Sequence, residues 1–326
     1  MSLAALNSPP LVAAVGGGIF ALIPALTATD LPLTTLKYAN FLSYCINVGA
    51  VSVPGRIDGQ QQQEQQLASQ TEDRKLSEMD QLATGRNGTS LVAPSGWAFS
   101  IWGPIFLGEL ILVINQLFAK SDDAIAPILK SASISFVAAN IFQSLWCAAF
   151  RPKYKDGWMA VSTSFLASTA FSLSKVHTSF LGLKGWDYLI YGLPTTLHFG
   201  WTTAATLVNL NGAVAMYSGS SAKAVAWIAH ISVVAATALG VVVTISRNAP
   251  VYGGVICWAL TAVADGMDKR ISATKEDSDK GRKGVLGATF QRKLSYFGAV
   301  LTGLTSVATT VFILFKGNDS SQQKLR

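Results

Sequence analysis

The sequence predicts an all-α integral membrane protein, a polytopic bundle of about eight or nine transmembrane helices. Three observations carry this. Half of the 326 residues are hydrophobic and only 13% are charged, against roughly a quarter in a soluble domain. Mean hydropathy is +0.38. And apolar runs of about 17 to 23 residues recur along the chain, each long enough to cross ~30 Å of hydrocarbon at ~1.5 Å per residue.

Taken in order, Leu11–Thr29 is a Gly/Ala-rich apolar run. No Lys or Arg precedes it, so it lacks the basic start of a secretory signal; an uncleaved helix and an organellar leader both remain open for residues 1–30. Thr35–Val53 is the second run. It carries Asn40, Tyr44 and Asn47 at i, i+4 and i+7, one helical face that should look into the bundle. Residues 54–94 interrupt the pattern with the polar tract Gly59–Gln66 and the charged Glu72–Lys75. That loop cannot bury enough apolar surface to fold alone. Ala98–Phe118, Ser133–Phe150, Trp158–Ser174, Tyr188–Leu210, Ala224–Ile245, Val251–Met267 and Leu294–Phe315 complete the set. The chain thus divides into an N-terminal apolar helix (1–30), a membrane domain (31–267) and a basic loop with a last helix (268–326).

The 25 Lys and Arg residues against 18 Asp and Glu are unevenly placed. Sixteen of them fall in loops on one side of the bundle, eight of those between Lys269 and Lys293. We read this as topology under the positive-inside rule, with that side facing the cytosol or its organellar equivalent, and not as a nucleic-acid footprint. Cys45, Cys147 and Cys257 all sit in apolar runs, with no spacing for zinc. No phosphate-cradling glycine loop, HExxH or GxSxG motif occurs, and nothing resembles a nucleophile, base and orienting residue. The sequence offers no catalytic set and no metal site.

The informative residues are polar or aromatic ones inside apolar runs. Trp97 stands where an interfacial anchor belongs. Trp102, Phe106, Glu109 and Gln116 share a face of the third run. An acid in mid-membrane costs roughly 2.5–3.5 kcal/mol on insertion scales, so Glu109 should have a partner or a task. Asn140, Gln143 and Cys147 share a face of the fourth run, beside Trp146. His198, Trp201, Ala205 and Asn209 form a stripe in the sixth. His198 and His230 are read as hydrogen-bonded bundle residues ahead of metal or tetrapyrrole-iron ligands. Asp265 should reach the interface beside Lys269.

The segment Pro94–Phe106, with Phe99-Ser100-Ile101-Trp102-Gly103 at its centre, resembles the second-helix signature of the TspO/MBR family, the tryptophan-rich sensory or translocator proteins. Asn140–Phe150 is similar to the family's third-helix Asn/Trp motif. Pro194–Asn209 is similar to its last core helix, where a Trp and an Asn stand eight apart, as Trp201 and Asn209 do. The resemblance covers about Leu36 to Met267 and is closest to longer-branch members. The departures are the five-residue spacing of Trp97 and Trp102 (six in short members), Gln143 where Asn or Trp is usual, the glutamine-rich loop and the additional C-terminal helices.

The resemblance implies a five-helix core enclosing a cavity for flat apolar ligands. The resulting expectation is a membrane receptor, sensor or carrier for a planar hydrophobic molecule, with a tetrapyrrole such as a porphyrin first and a sterol or other lipid second. Trp102, Phe106, Trp146 and Trp201 would offer stacking faces. Glu109, Asn140, Gln143, His198 and Asn209 would supply orienting polar contacts. The expected partners are membrane lipids and this hydrophobic small molecule, with a homodimer as the candidate assembly and no nucleic acid. Two alternatives stand beside this one: a proton-coupled secondary transporter using Glu109, and a structural or assembly subunit of a membrane complex.

Overall fold

The computed structural model describes residues 8–52, 89–151, 154, 156–278 and 286–323. Most of the glutamine-rich loop and residues 279–285 of the basic loop lie outside these. Nine long α-helices fill the described residues: α1 Pro9–Ala28, α2 Leu33–Val51, α3 Trp102–Phe118, α4 Ala126–Ala149, α5 Met159–Ser179, α6 Leu193–Met216, α7 Ala222–Ser246, α8 Pro250–Ser278 and α9 Ala288–Gln323. A 3-10 stretch, Gly96–Ile101, leads into α3, and a π-helical turn, Tyr188–Gly192, leads into α6. Proline opens α1, α4 and α6 at a position where its missing N–H costs nothing. Ser221 caps α7 by accepting from the backbone N–H of Ala224.

The chain is an integral, multi-pass membrane protein. Five helical segments are long and apolar enough to cross a bilayer on length and composition: α1, the continuous run Gly96–Phe118, α4, α7 and Ala288–Lys316 of α9. The remaining four helices, α2, α5, α6 and α8, are each at least 19 residues long but less apolar. Burial explains the difference. α6 encloses Thr195, Thr196, His198, Thr202, Thr203, Asn209 and Asn211 among its buried residues. Helices screened from lipid by their neighbours need not be apolar all round. Several bounds differ from the expected ones. α4 starts at Ala126, ahead of Ser133, and α8 runs on past Met267 to Ser278. At the termini, polar and small residues continue the backbone hydrogen bonding beyond the apolar window.

α4 packs against α1, α2 and α5 in the first half of the bundle, and α7, α8 and α9 pack on one another in the second. α6 joins the halves through contacts with α3, α5, α7 and α8. Small residues allow its close approach, as membrane bundles require in the absence of a hydrophobic drive between helices. A Cβ on Gly108 of α3 would stand 2.7 Å from Cβ of Pro194, and one on Gly200 would stand 2.9 Å from Cβ of Val255 in α8.

Before α3 the chain enters the bundle as an extended segment. Leu91, Val92 and Ala93 are buried there. The segment is held along α8. The Ser95 N–H donates to Ala262 O at 2.9 Å, Lys269 Nζ donates to Ser95 Oγ at 3.2 Å, and Arg270 donates to Ser90 O. Trp97 is half-exposed, as an interfacial residue should be, and it also has a second task. Its Nε1 donates to Asp265 at 2.9 Å, and its ring meets Trp258 edge-on at 4.6 Å. Asp265 also pairs with Lys269 at 2.9 Å.

Gly266 is the residue of α8 that lets this segment lie flat, since a Cβ there would fall 2.5 Å from Ala93 O. That obstacle is backbone and cannot rotate away. Gly266→Val should therefore lift residues 91–97 and destabilise the protein by about 1–3 kcal/mol. Thermal unfolding in detergent would record the loss, with a parallel change in Trp97 emission; an unchanged midpoint would contradict the packing.

Candidate functional site

Three helices bring tryptophans to one place. Trp102 stands at the start of α3, Trp146 in the last turn of α4 and Trp201 in the third turn of α6. They line a cavity with Phe99, Phe150 and Asn209, and α8 closes it with Ala259 and Val263. Pro94 of the extended segment forms part of the same wall. The rings support one another. Trp102 stacks on Phe106 at 5.1 Å and 11°. It meets His198 edge-on at 5.6 Å and Trp201 edge-on at 6.2 Å. Phe99 meets Trp201 edge-on at 5.6 Å. Such arrangements are favoured by the ring quadrupoles and fix ring orientation. The cavity is narrow, about 60 Å³, which is room for a few waters. A planar macrocycle could enter only with displacement of the walls.

Beside the cavity lies a buried ionisable pair. Glu109 Oε1 is 2.7 Å from Nδ1 of His198, and both side chains are at most 1% exposed. Glu109 Oε2 and His198 Nε2 have no hydrogen-bond partner among the described residues. The pair depends on the close contact of α3 and α6 at Gly108 and Pro194. The two buried side chains hold one another, and removing either would leave the other uncompensated. This is a bundle-bound histidine, and so is His230, whose Nδ1 lies 2.6 Å from Gln291 Oε1.

A polar ladder ties α2 to α3 and α4. Asn40 Nδ2 donates to Gln116 Oε1 at 3.0 Å and to Ser133 Oγ at 2.9 Å. The hydroxyl of Tyr44 donates to Phe106 O at 2.8 Å. Asn47 Nδ2 donates to Asn140 Oδ1 at 2.9 Å and to Gln143 Oε1 at 3.2 Å. The face of α2 expected to look inward therefore does so, and it takes up Asn140 and Gln143.

Of the nine candidate ligand residues, the structure places Trp102, Trp146, Trp201 and Asn209 on the cavity wall. Phe106 lies behind Trp102, Glu109 and His198 face each other, and Asn140 and Gln143 face α2. Helical spacing assigns residues to a face, but a face can be divided between a cavity and a neighbouring helix. Wall residues not anticipated are Pro94, Phe99, Phe150, Leu166, Ala259 and Val263. Phe99 precedes Trp102 by three and Phe150 follows Trp146 by four, so both were within reach of the same periodicity. Ala259 and Val263 resemble lipid-facing residues and carried no such signal. Among the described residues no cluster of three or more His, Cys, Asp or Glu could hold a metal.

A family model described as TSPO-like protein matches residues 73–274, more than half of the chain. No curated protein and no solved structure matches it.

The Glu109–His198 pair allows a discriminating substitution. Glu109→Leu leaves a fully buried imidazole without its partner and should cost about 1–3 kcal/mol. Glu109→Gln keeps a hydrogen-bonding group of the same shape and should cost clearly less. Unfolding midpoints of the two variants in detergent would separate them; equal losses would show that the contact contributes packing alone.

Proposed function

The chain belongs to the TSPO-like protein family, and from that premise we propose that this membrane binding or sensing protein of the TspO type takes a planar hydrophobic ligand in its aromatic cavity, a tetrapyrrole first and a sterol or other lipid second. The observation that carries the proposal is the meeting of Trp102, Trp146 and Trp201 around one apolar space. Flat faces presented from α3, α4 and α6 suit a flat partner, since stacking adds to the apolar area removed from water. Ligand entry requires the walls to part. The extended segment 91–97 supplies a wall element outside the helices, Pro94, and is held to α8 by polar bonds.

Adding protoporphyrin to the purified protein in detergent should quench tryptophan fluorescence saturably. Trp102→Ala removes both a wall and the ring on which Phe106 stacks, and should weaken binding by roughly tenfold or more. Quenching unchanged by that substitution would remove the cavity from the account.

The buried Glu109–His198 contact supports a second reading, a proton-coupled carrier. Two titratable groups share one hydrogen bond next to the cavity wall, the kind of intramembrane pair that marks proton relays. On this reading, uptake driven by a pH gradient in proteoliposomes should collapse in Glu109→Gln while ligand quenching persists. Uptake that survives in Glu109→Gln would dismiss the carrier reading.

A further inference from the structure

A second recess lies outside the tryptophan cavity, where the C-terminal helices meet the core. It encloses about 770 Å³, against about 60 Å³ for the cavity. α9 packs on α7 and α8, and the recess lies between α9 and the start of α3, with α6 and α8 supplying the rest of the wall. Of its lining, Ile101 and Val255 are 8% and 4% exposed, whereas Pro104 and Thr310 are exposed. It is a groove with a buried floor and an open rim. Its walls are fastened. Trp258 Nε1 donates to Ala98 O at 3.1 Å, and Trp97 meets the same ring edge-on. Ser306 Oγ donates to Pro250 O at 2.7 Å and ties α9 to the first turn of α8. The π-helical turn brings Tyr188 to the wall.

The chemistry of the groove narrows its occupant. No charged side chain lines it. The hydroxyls of Ser306 and Thr310 are spent on the backbone carbonyls of Pro250 and Ser306. Ile101 and Pro104 belong to the membrane-crossing run Gly96–Phe118, and Ser306 and Thr310 to Ala288–Lys316, so the groove stands at the depth of hydrocarbon. Water there would find few partners, and a void would forfeit dispersion contacts along the whole lining. A helix about 10 Å across fills roughly 420 Å³ per turn of about 5.4 Å, so the groove would seat fewer than two turns of a partner's helix. An acyl chain is narrower and adapts to the wall, and the bilayer presents it at a concentration that saturates even a weak site.

We infer that the groove between α3, α6, α8 and α9 holds one acyl chain of a bilayer phospholipid, which completes the packing of α9 against the core. The inference is independent of what occupies the tryptophan cavity. Tyr188 leads into α6 and Pro250 opens α8, both at helix starts away from the basic loop. The chain therefore comes from the leaflet opposite that loop.

Gly254 offers the test. It lines the groove, and a Cβ there would meet only Ser306 Oγ, at 3.7 Å, an ordinary contact. Gly254→Leu thus fills the groove without pressing on backbone. Trp258, four residues on and 39% exposed, reports from the same wall. Full-length protein in detergent micelles is titrated with phosphatidylcholine brominated midway along one acyl chain, and the difference between each protein and its Trp258→Phe counterpart isolates the quenching of Trp258. That quenching should saturate at low lipid mole fraction, and the half-quenching fraction should rise about five- to tenfold in Gly254→Leu. Gly17→Leu, placed on α1 where a Cβ meets nothing within 4 Å, should leave it unchanged. Val251→Phe fills the groove from the same helix if Gly254→Leu fails to fold. Quenching that grows in proportion to lipid without saturating, or that is equal in wild type and Gly254→Leu, would mean surface lipid only and overturn the inference. So would displacement of the brominated chain by a sterol but not by unlabelled phosphatidylcholine, or a wild-type dimer that dissociates in Gly254→Leu, which would make a second copy the occupant.

Discussion

Hydrocarbon cannot hydrogen-bond, and this protein is arranged around that constraint. Each side-chain amide, acid or imidazole within the membrane must find its partner inside the bundle or go without. α6 and α2 carry five of these groups, Asn40, Asn47, His198, Asn209 and Asn211, and both helices are packed among others. Asn40 and Asn47 hold α2 to α3 and α4. His198 holds α6 to α3 through Glu109. Asn211 Nδ2 donates to Ser232 Oγ at 2.8 Å and so holds α6 to α7. These bonds are individually modest in membranes, commonly below about 2 kcal/mol. Their larger effect is on register. A helix that slid or rotated would leave several buried polar atoms unpaired at once.

The same constraint gives the cavity its character. Along α6 the threonine hydroxyls bond to its own backbone, and His198 and Asn211 reach neighbouring helices. Trp102 Nε1 of α3 and Trp201 Nε1 and Asn209 Nδ2 of α6 have no partner among the described residues. All three residues line the space where aromatic side chains from α3, α4 and α6 meet.

Much of the architecture was legible in the sequence, because membrane crossing imposes a length and a composition that can be read without neighbours. The nine runs correspond to α1–α9. The inward face of α2 followed from the spacing of Asn40, Tyr44 and Asn47. What could not be read was pairing between distant segments. Glu109 and His198 are 89 positions apart, and each alone has several plausible partners. The role of Gln143 was unreadable for the same reason, since only the placement of Asn47 decides whether it faces ligand or helix. Trp97 shows an intermediate case. Its interfacial position follows from chemistry, but its bond to Asp265 spans 168 positions and depends on α8 lying alongside.

The closing of the cavity by Ala259 and Val263 has a consequence for the C-terminal third of the chain. Without α8, the space between Trp146 and Trp201 would lose Ala259 and Val263 from its wall and open on that side. With α8 in place that flank is sealed by protein, and α7 and α9 brace the seal from outside. The additional helices thus convert a lateral window into a wall.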